Sequence, residues 1–408
     1  MSTAKSPRTS PAEPRPSGTG RTPTTGPPVP TTSEPTPSGA VPDHERYVRG
    51  ETEALVAAAT AAVLAAGVGL IVFRGSATPL WGESSIGLVA LAVTLVVAAV
   101  AGGVGYLRSW SLPGRQWRRS LRPWLKALDV LGVVLVHTAL GGLLTLGAFA
   151  LLQQSFRGLA LDPFLASGAV ALAAGLVAYW VYLSVQSTST VRLASLLVAF
   201  LAIGTFTSMA TAQDPRWWEY HFSQLGSFGD GSSGLFNMTL AIAGLLVTSF
   251  ALSLHRNLQA LHRAGVLVYD FAPRVVAAAF VVMGLMLSCV GIVSIPVNES
   301  LHNVFAWGLV LAFGVLLLGS PILLRGLPGQ FFGVTAVMVA VLIGAAVAFF
   351  LGRIVFTAFE LTAFVVIFAW IMVFIRIVDA SARPGQDAPG AVTDQGPTSA
   401  SERGRSEA

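Results

Sequence analysis

Ten stretches of this 408-residue chain are apolar over most of the roughly 20 residues that an α-helix needs to cross a bilayer's hydrocarbon core. They run Ala54–Phe73, Ile86–Leu107, Val130–Leu152, Ser167–Val185, Leu193–Met209, Leu235–Leu254, Val275–Ile295, Val304–Leu324, Phe331–Gly352 and Ile354–Ile375. Within them the apolar residues are contiguous, not spaced at the 3.6- or 2-residue period of a half-buried element. No alternating pattern of a lipid-facing strand occurs, so the spans are expected to be helices with their backbone groups paired internally. Only 11% of residues are charged, against roughly 25% in soluble domains, which sets aside an ordinary soluble enzyme. The expected fold is an all-α polytopic bundle of about ten transmembrane helices. The last two spans are separated by Gly352 and Arg353 alone, so a tight hairpin and a re-entrant pair both fit.

Outside these spans the composition changes. Residues 1–50 hold 11 of the 23 prolines, interleaved with Ser, Thr and Gly. Such a segment buries too little apolar surface to offset its ordering entropy, and it reads as a disordered tail. Residues 377–408 read the same way. Between them the chain divides into a four-helix membrane region, 51–190, and a six-helix region, 191–376. The first 50 residues contain no apolar core of a signal peptide, so the first span is expected to act as the targeting signal. The single cysteine, Cys289, permits neither an internal disulfide nor a zinc cluster.

Orientation follows from Lys and Arg near the spans. With both tails placed inside, the inner flanks carry 15 basic residues: Arg46, Arg49, six in Arg108–Lys126, Arg192, Arg256, Arg263, Arg274, Arg325, Arg376 and Arg383. The outer loops carry four: Arg74, Arg157, Arg216 and Arg353. That asymmetry predicts both termini cytoplasmic; the expected location is a bacterial plasma (inner) membrane. Trp81, Trp217 and Trp218 then fall at the outer boundary, and Trp110, Trp117 and Trp124 at the inner one, as aromatic belts do.

The formal net charge is +5, and Arg108–Lys126 alone contributes six positive charges and no acid. Interleaved with three tryptophans, such a loop could in principle hold single-stranded nucleic acid. Flanked by two spans, it instead reads as a segment lying on the anionic inner leaflet, so membrane lipids are the expected partner and nucleic acid is not.

Ionisable groups at membrane depth are costly, which makes each a candidate. His137 shares a helical face with Gly141 and Thr145, and a histidine bonded to a neighbouring helix explains it. Glu360 lies nearly two turns inside the last span and needs a partner, a water-filled cavity or a proton. Small residues recur at helical spacing on the sixth span (Asn237, Ala241, Gly244, Thr248) and on the seventh (Gly284, Ser288, Gly291, Ser294), which allows close backbone approach.

The outer crossings are the most polar. One reads AQDPRWWEYHFSQLGSFGDGSSGLFNMTL, and the next, GIVSIPVNESLHNVFAWG, places Pro296, Glu299 and His302 at the mouth of the eighth span. These residues carry a resemblance: an H-F-S-Q-L-G segment, a Phe-Asn helix start with a Gly-Leu-Leu run, then a G-I-x-x-x-P and L-H-N turn. The pattern resembles the prokaryotic membrane family catalogued as domain of unknown function 998 over about Leu193–Ile375. It is more distantly similar to the Frag1/DRAM/Sfk1 membrane proteins. The matching positions are Ser223, Leu225, Gly226, Phe236, Asn237, Pro296 and His302, while Gln224 stands where an acidic residue is expected. The resemblance implies a fold and a topology and supplies no reaction.

Three functions remain open. A non-catalytic protein would meet a lipid, a small molecule or a partner at an outer-face site. A proton-coupled transporter or channel would use Glu360 and His137. A metal-dependent hydrolase or transferase would use His221 and His302 as ligands with Asp214 or Glu299, and Glu360 as general base. Candidate catalytic residues are therefore His221, Ser223, Glu299, His302 and Glu360; candidate metal ligands are His221, His302 and Asp214. No organic cofactor is implied. There is no P-loop, G-x-S-x-G or H-E-x-x-H pattern to support the commoner hydrolases. The sequon Asn298-Glu299-Ser300 lies against a span and carries no functional weight.

Overall fold

The computed structural model describes residues 43–75 and 77–382, and it is helical almost throughout. Ten long helices follow one another: α1 (Asp43–Val72), α2 (Ile86–Ser109), α3 (Pro123–Ser155), α4 (Pro163–Gln186), α5 (Thr190–Thr211), α6 (Gly231–Arg263), α7 (Ala272–Ile292), α8 (Ile295–Leu323), α9 (Gly329–Phe350) and α10 (Phe356–Ser381). Each is long and apolar enough to cross a membrane, so the chain is a multi-pass membrane protein. Most of the expected disordered tails, 1–42 and 383–408, lies outside the described residues. Their inner margins do not match the expectation: 43–50 belong to α1 and 377–381 to α10. Extending a helix fixes one residue per added hydrogen bond, so a nucleated helix runs on past its apolar stretch.

The helix starts follow local chemistry. The Leu88 backbone N–H donates to the Ser85 side chain ahead of α2, and Arg192 N–H to Ser189 ahead of α5. Asp162 accepts from Phe164 and Leu165 ahead of α4, where Pro163 stands at the first helical position. Such caps satisfy N–H groups that have no intrahelical partner. The connection between α9 and α10 is a hairpin of two full-length helices, not a re-entrant pair. Gly352 adopts φ +66°, and Arg353 N–H reaches back to the Ala348 carbonyl at 2.8 Å, closing the α9 terminus.

α6 is the axis of the bundle, packed on α3, α5, α7 and α10. Its tightest neighbour is α7, across the small faces read from the sequence. A Cβ at Gly284 would lie 2.6 Å from the Gly244 carbonyl, and one at Gly244 would meet Ser288. Ser288 Oγ donates to the Ala241 carbonyl at 2.9 Å. Around this pair one apolar core runs from Ala98 in α2 to Val378 in α10. That core takes residues from both the 51–190 and the 191–376 regions, and the described residues from Tyr47 to Ala382 form one compact unit. Trp370 and Phe374 of α10 stack at 5.2 Å inside it, and the Trp370 indole donates to Thr335 of α9 at 3.1 Å. Phe331 of α9 is buried against Trp370 and Phe374, while Val337, Val341, Ile343 and Val347 of the same helix are exposed.

The helices define two ends. One carries the basic 108–126 segment, the α4–α5 turn, the end of α6 and the end of α10. The other carries the 212–230 segment, the α7–α8 turn and the start of α10. A two-residue antiparallel ladder, Thr78–Pro79 with Ala160–Leu161, ties two loops there.

Candidate functional site

At the 212–230 end, the chain makes two short 3₁₀ turns, Trp217–Glu219 and Phe222–Gly226, before α6 begins. Phe222 is buried, with its ring against Phe236 of α6 and Phe364 of α10. Its backbone N–H donates to Glu360 Oε2 at 2.6 Å. Glu360 thus holds this segment onto α10, and His221 is the adjacent residue. Burial lowers the His221 pKa below the ordinary histidine value; the His302 charge acts in the same direction and Glu299 opposes them. His221, His302 and Glu299 therefore share one electrostatic neighbourhood, with Glu360 joined to it through the backbone.

His302 is buried, and its Nδ1 bonds the Val293 carbonyl at 2.8 Å. Its Nε2 is buried with no hydrogen-bond partner among the described residues. Glu299 is exposed on the first turns of α8. Asn298 has non-helical φ/ψ, and its side chain accepts from Leu301 N–H at 2.9 Å. The sequon asparagine is thus an N-cap within a kinked helix start. Ser223 is half-buried and its carbonyl accepts from Ser227.

Asp214 stands apart from the histidines' roles, accepting from Arg216 N–H in a local turn. Asp230 caps α6 through Ser232 and Ser233. Asn237 donates to the Gly226 carbonyl at 3.0 Å. No G-x-G-x-x-G is expected from the sequence, yet the run Gly229-Asp230-Gly231-Ser232-Ser233-Gly234 has that spacing of a dinucleotide-binding turn. No strand precedes it, and the Asp230 carboxylate occupies the helix N-terminus where a phosphate would sit. Among the described residues, no three His, Cys, Asp or Glu side chains are grouped to hold a metal ion, so His221, His302 and Asp214 do not make a ligand set.

No family model, curated protein or solved structure matches this chain.

His137 is fully buried, with Nδ1 on the Val133 carbonyl at 2.7 Å and Nε2 on Ser184 Oγ of α4 at 2.9 Å. Both ring nitrogens are used, and the ring packs on Trp180. Gly141, one turn on, faces Val177 of the same helix α4. This is a histidine that joins two helices.

The basic end holds the group that sequence reasoning missed. Asp129, buried at the start of α3, accepts from Arg118 Nε at 3.1 Å and from the Tyr106 hydroxyl at 2.7 Å. Arg118, itself 5% exposed, also donates to Ser253 Oγ of α6 at 3.1 Å. Its guanidinium lies 4.8 Å from the Trp117 ring, and Arg256 lies 4.2 Å from the same ring. Asp129 is the sole acid between Glu83 and Asp162, a signal that could have drawn attention to it.

The basic segment is thus not simply laid on a lipid surface. Arg108 bonds the Tyr182 hydroxyl at 3.2 Å and lies 3.7 Å from Glu53, while Arg115 donates to the Gln186 and Thr188 carbonyls at 2.6 and 2.5 Å. Trp110 is buried against Tyr106. Arg119, Arg122 and Trp124 stay exposed. Inward use of Arg115 and Arg118 follows from the carbonyl and carboxylate acceptors nearby, which offset desolvation of the guanidinium groups.

Proposed function

We infer that this chain is a non-catalytic plasma-membrane protein that meets a lipid or a partner at its 212–230 end, with both termini cytoplasmic. The observation that carries the reading is that four polar side chains at that end hold backbone groups in place. Glu360 holds Phe222, His302 holds Val293, Asp230 caps α6 and Asn237 holds Gly226. The cap they hold presents Trp218 and Tyr220, 47% and 58% exposed. Aromatic side chains with one polar atom suit a membrane interface or a protein contact.

The 15-to-4 basic asymmetry supports placing this cap on the outer side. Exposed Arg119, Arg122 and Trp124 then meet the anionic inner leaflet. The resemblance of 193–375 to the family of unknown function accords with the six-helix part of this reading and adds no chemistry to it.

The test is photo-crosslinking in native membranes from a reactive residue placed at Trp218 or Tyr220. A discrete lipid or protein adduct, absent when the probe is moved to lipid-facing Val341, is expected. Identical diffuse labelling from all three positions would sink the reading. A second reading rests on the half-buried Glu360 carboxylate within α10: proton-coupled transport. It requires a proton-dependent flux that Glu360→Gln abolishes.

A further inference from the structure

A cleft of about 550 Å³ opens at the basic end, between loop residues 113–118, the 188–190 turn and the last three turns of α6. Its walls carry Arg115, Arg118, Arg256 and Arg263, against one carboxylate, Asp379, among the described residues. Arg118 is neutralised by Asp129 at its back. Arg115, Arg256 and Arg263 form no ion pair among the described residues.

Two of these guanidinium groups, those of Arg115 and Arg256, are held in place. Arg115 is anchored on two carbonyls that carry no net charge, and Arg256 lies on the Trp117 ring. Burial lowers the Arg115 pKa, and the charge of Arg118 adds to that, as does Arg192 more weakly. Fixed like charges repel, and an anion placed among them relieves the repulsion. Two hydroxyls on the same walls have protons to give: Ser253 Oγ accepts from Arg118, and Thr190 Oγ1 accepts from Asn257 at 3.2 Å.

We propose that this cleft binds a phosphate group, carried by an anionic lipid headgroup or by a soluble phosphate compound. Guanidinium forks match phosphate oxygens two at a time, and hydroxyl donors complete the shell. The volume suits a phosphate with a small organic substituent better than a bare ion, since ligand pockets are typically about 300–1,000 Å³. The cleft lies where α6 continues beyond its apolar stretch, within reach of both headgroups and solution. The proposal shares with the proposed function only the membrane placement of the chain, and it concerns the opposite end of the bundle.

The test uses the purified full chain in uncharged detergent. It is titrated by calorimetry with inorganic pyrophosphate and, separately, with dioctanoyl phosphatidylglycerol. Binding of at least one probe is expected, and it weakens with added salt. Pyrophosphate binding the tighter identifies a soluble source, and phosphatidylglycerol binding the tighter identifies a headgroup. Arg256→Gln with Arg263→Gln is expected to weaken binding about tenfold or more while the unliganded melting temperature holds. Arg119→Gln with Arg122→Gln, outside the cleft, is expected to leave the affinity within about twofold. Three results overturn the proposal: neither probe binds, the Arg256/Arg263 variant binds undiminished, or the Arg119/Arg122 variant loses as much. The last assigns the attraction to the surface charge of the loop. A blank crosslinking result from Trp218 and Tyr220 bears on the other end alone.

Discussion

Asp129 of α3 and Arg118 of the loop form a buried pair with two partners, Tyr106 of α2 and Ser253 of α6. Removing one charge strands the other. Asp129→Ala is expected to destabilise the protein by about 3–5 kcal/mol, whereas a combined Asp129→Leu, Arg118→Met variant loses less than either single change. Thermal unfolding in detergent separates these outcomes. His221 gives a pH signature. Its folded-state pKa lies below its ordinary value near 6.5, so the folded state resists protonation. Above about 6.5 both states are neutral and nothing is gained or lost. Below it the unfolded chain takes up protons first, and stability falls until pH passes the depressed folded value. His221→Gln is expected to flatten that acid-side loss in a melting-temperature profile against pH. Glu360→Ala leaves Phe222 N–H without its acceptor at a cost of roughly 1.5–3 kcal/mol, and faster proteolysis within 212–230 reports it.

At the scale of helices, the α6–α7 contact depends on the absence of side chains at Gly244 and Gly284. Gly284→Ala places a methyl group 2.6 Å from a backbone carbonyl, so the helices must part, at a cost on the order of 1–3 kcal/mol. Gly147→Ala in α3 meets nothing within 4 Å and is expected to be neutral or slightly stabilising in the same melting assay. These faces were legible because an i, i+4 run of small residues is a one-dimensional pattern with a single packing consequence. The ten spans were legible for the same reason, since length and apolarity along the chain decide whether a segment can cross a bilayer. Helix ends were not: α6 runs nine residues past Leu254 to Arg263, because hydrogen-bond propagation and not hydropathy sets where it stops. The Asp129–Arg118 pairing was equally hidden, as it depends on how an 11-residue separation folds back across the loop.

For the whole molecule, the two ends are chemically unlike. One gathers guanidinium groups around a cleft, and the other gathers aromatic and imidazole side chains under a short cap. Reporter fusions test how these ends lie across the membrane. A fusion at Gly326 is expected to report the cytoplasmic side and one at Asp230 the opposite side; reversed signals would invert the orientation. The sequence placed His221, Ser223, Glu299, His302 and Glu360 on outer crossings by counting spans. Their actual linkage, a carboxylate in α10 holding the backbone beside His221, is a tertiary contact between residues 138 positions apart. No periodicity encodes it.

Tyr106, Arg118 and Asp129 all lie within 24 residues, on the hairpin formed by α2, the loop and α3. The hairpin therefore supplies both partners of its own buried carboxylate, and no other part of the chain is needed to compensate that charge. The central helix adds one hydroxyl, Ser253 Oγ, to Arg118. The ion pair is thus a local closure of one hairpin that also serves as a fastening point for α6.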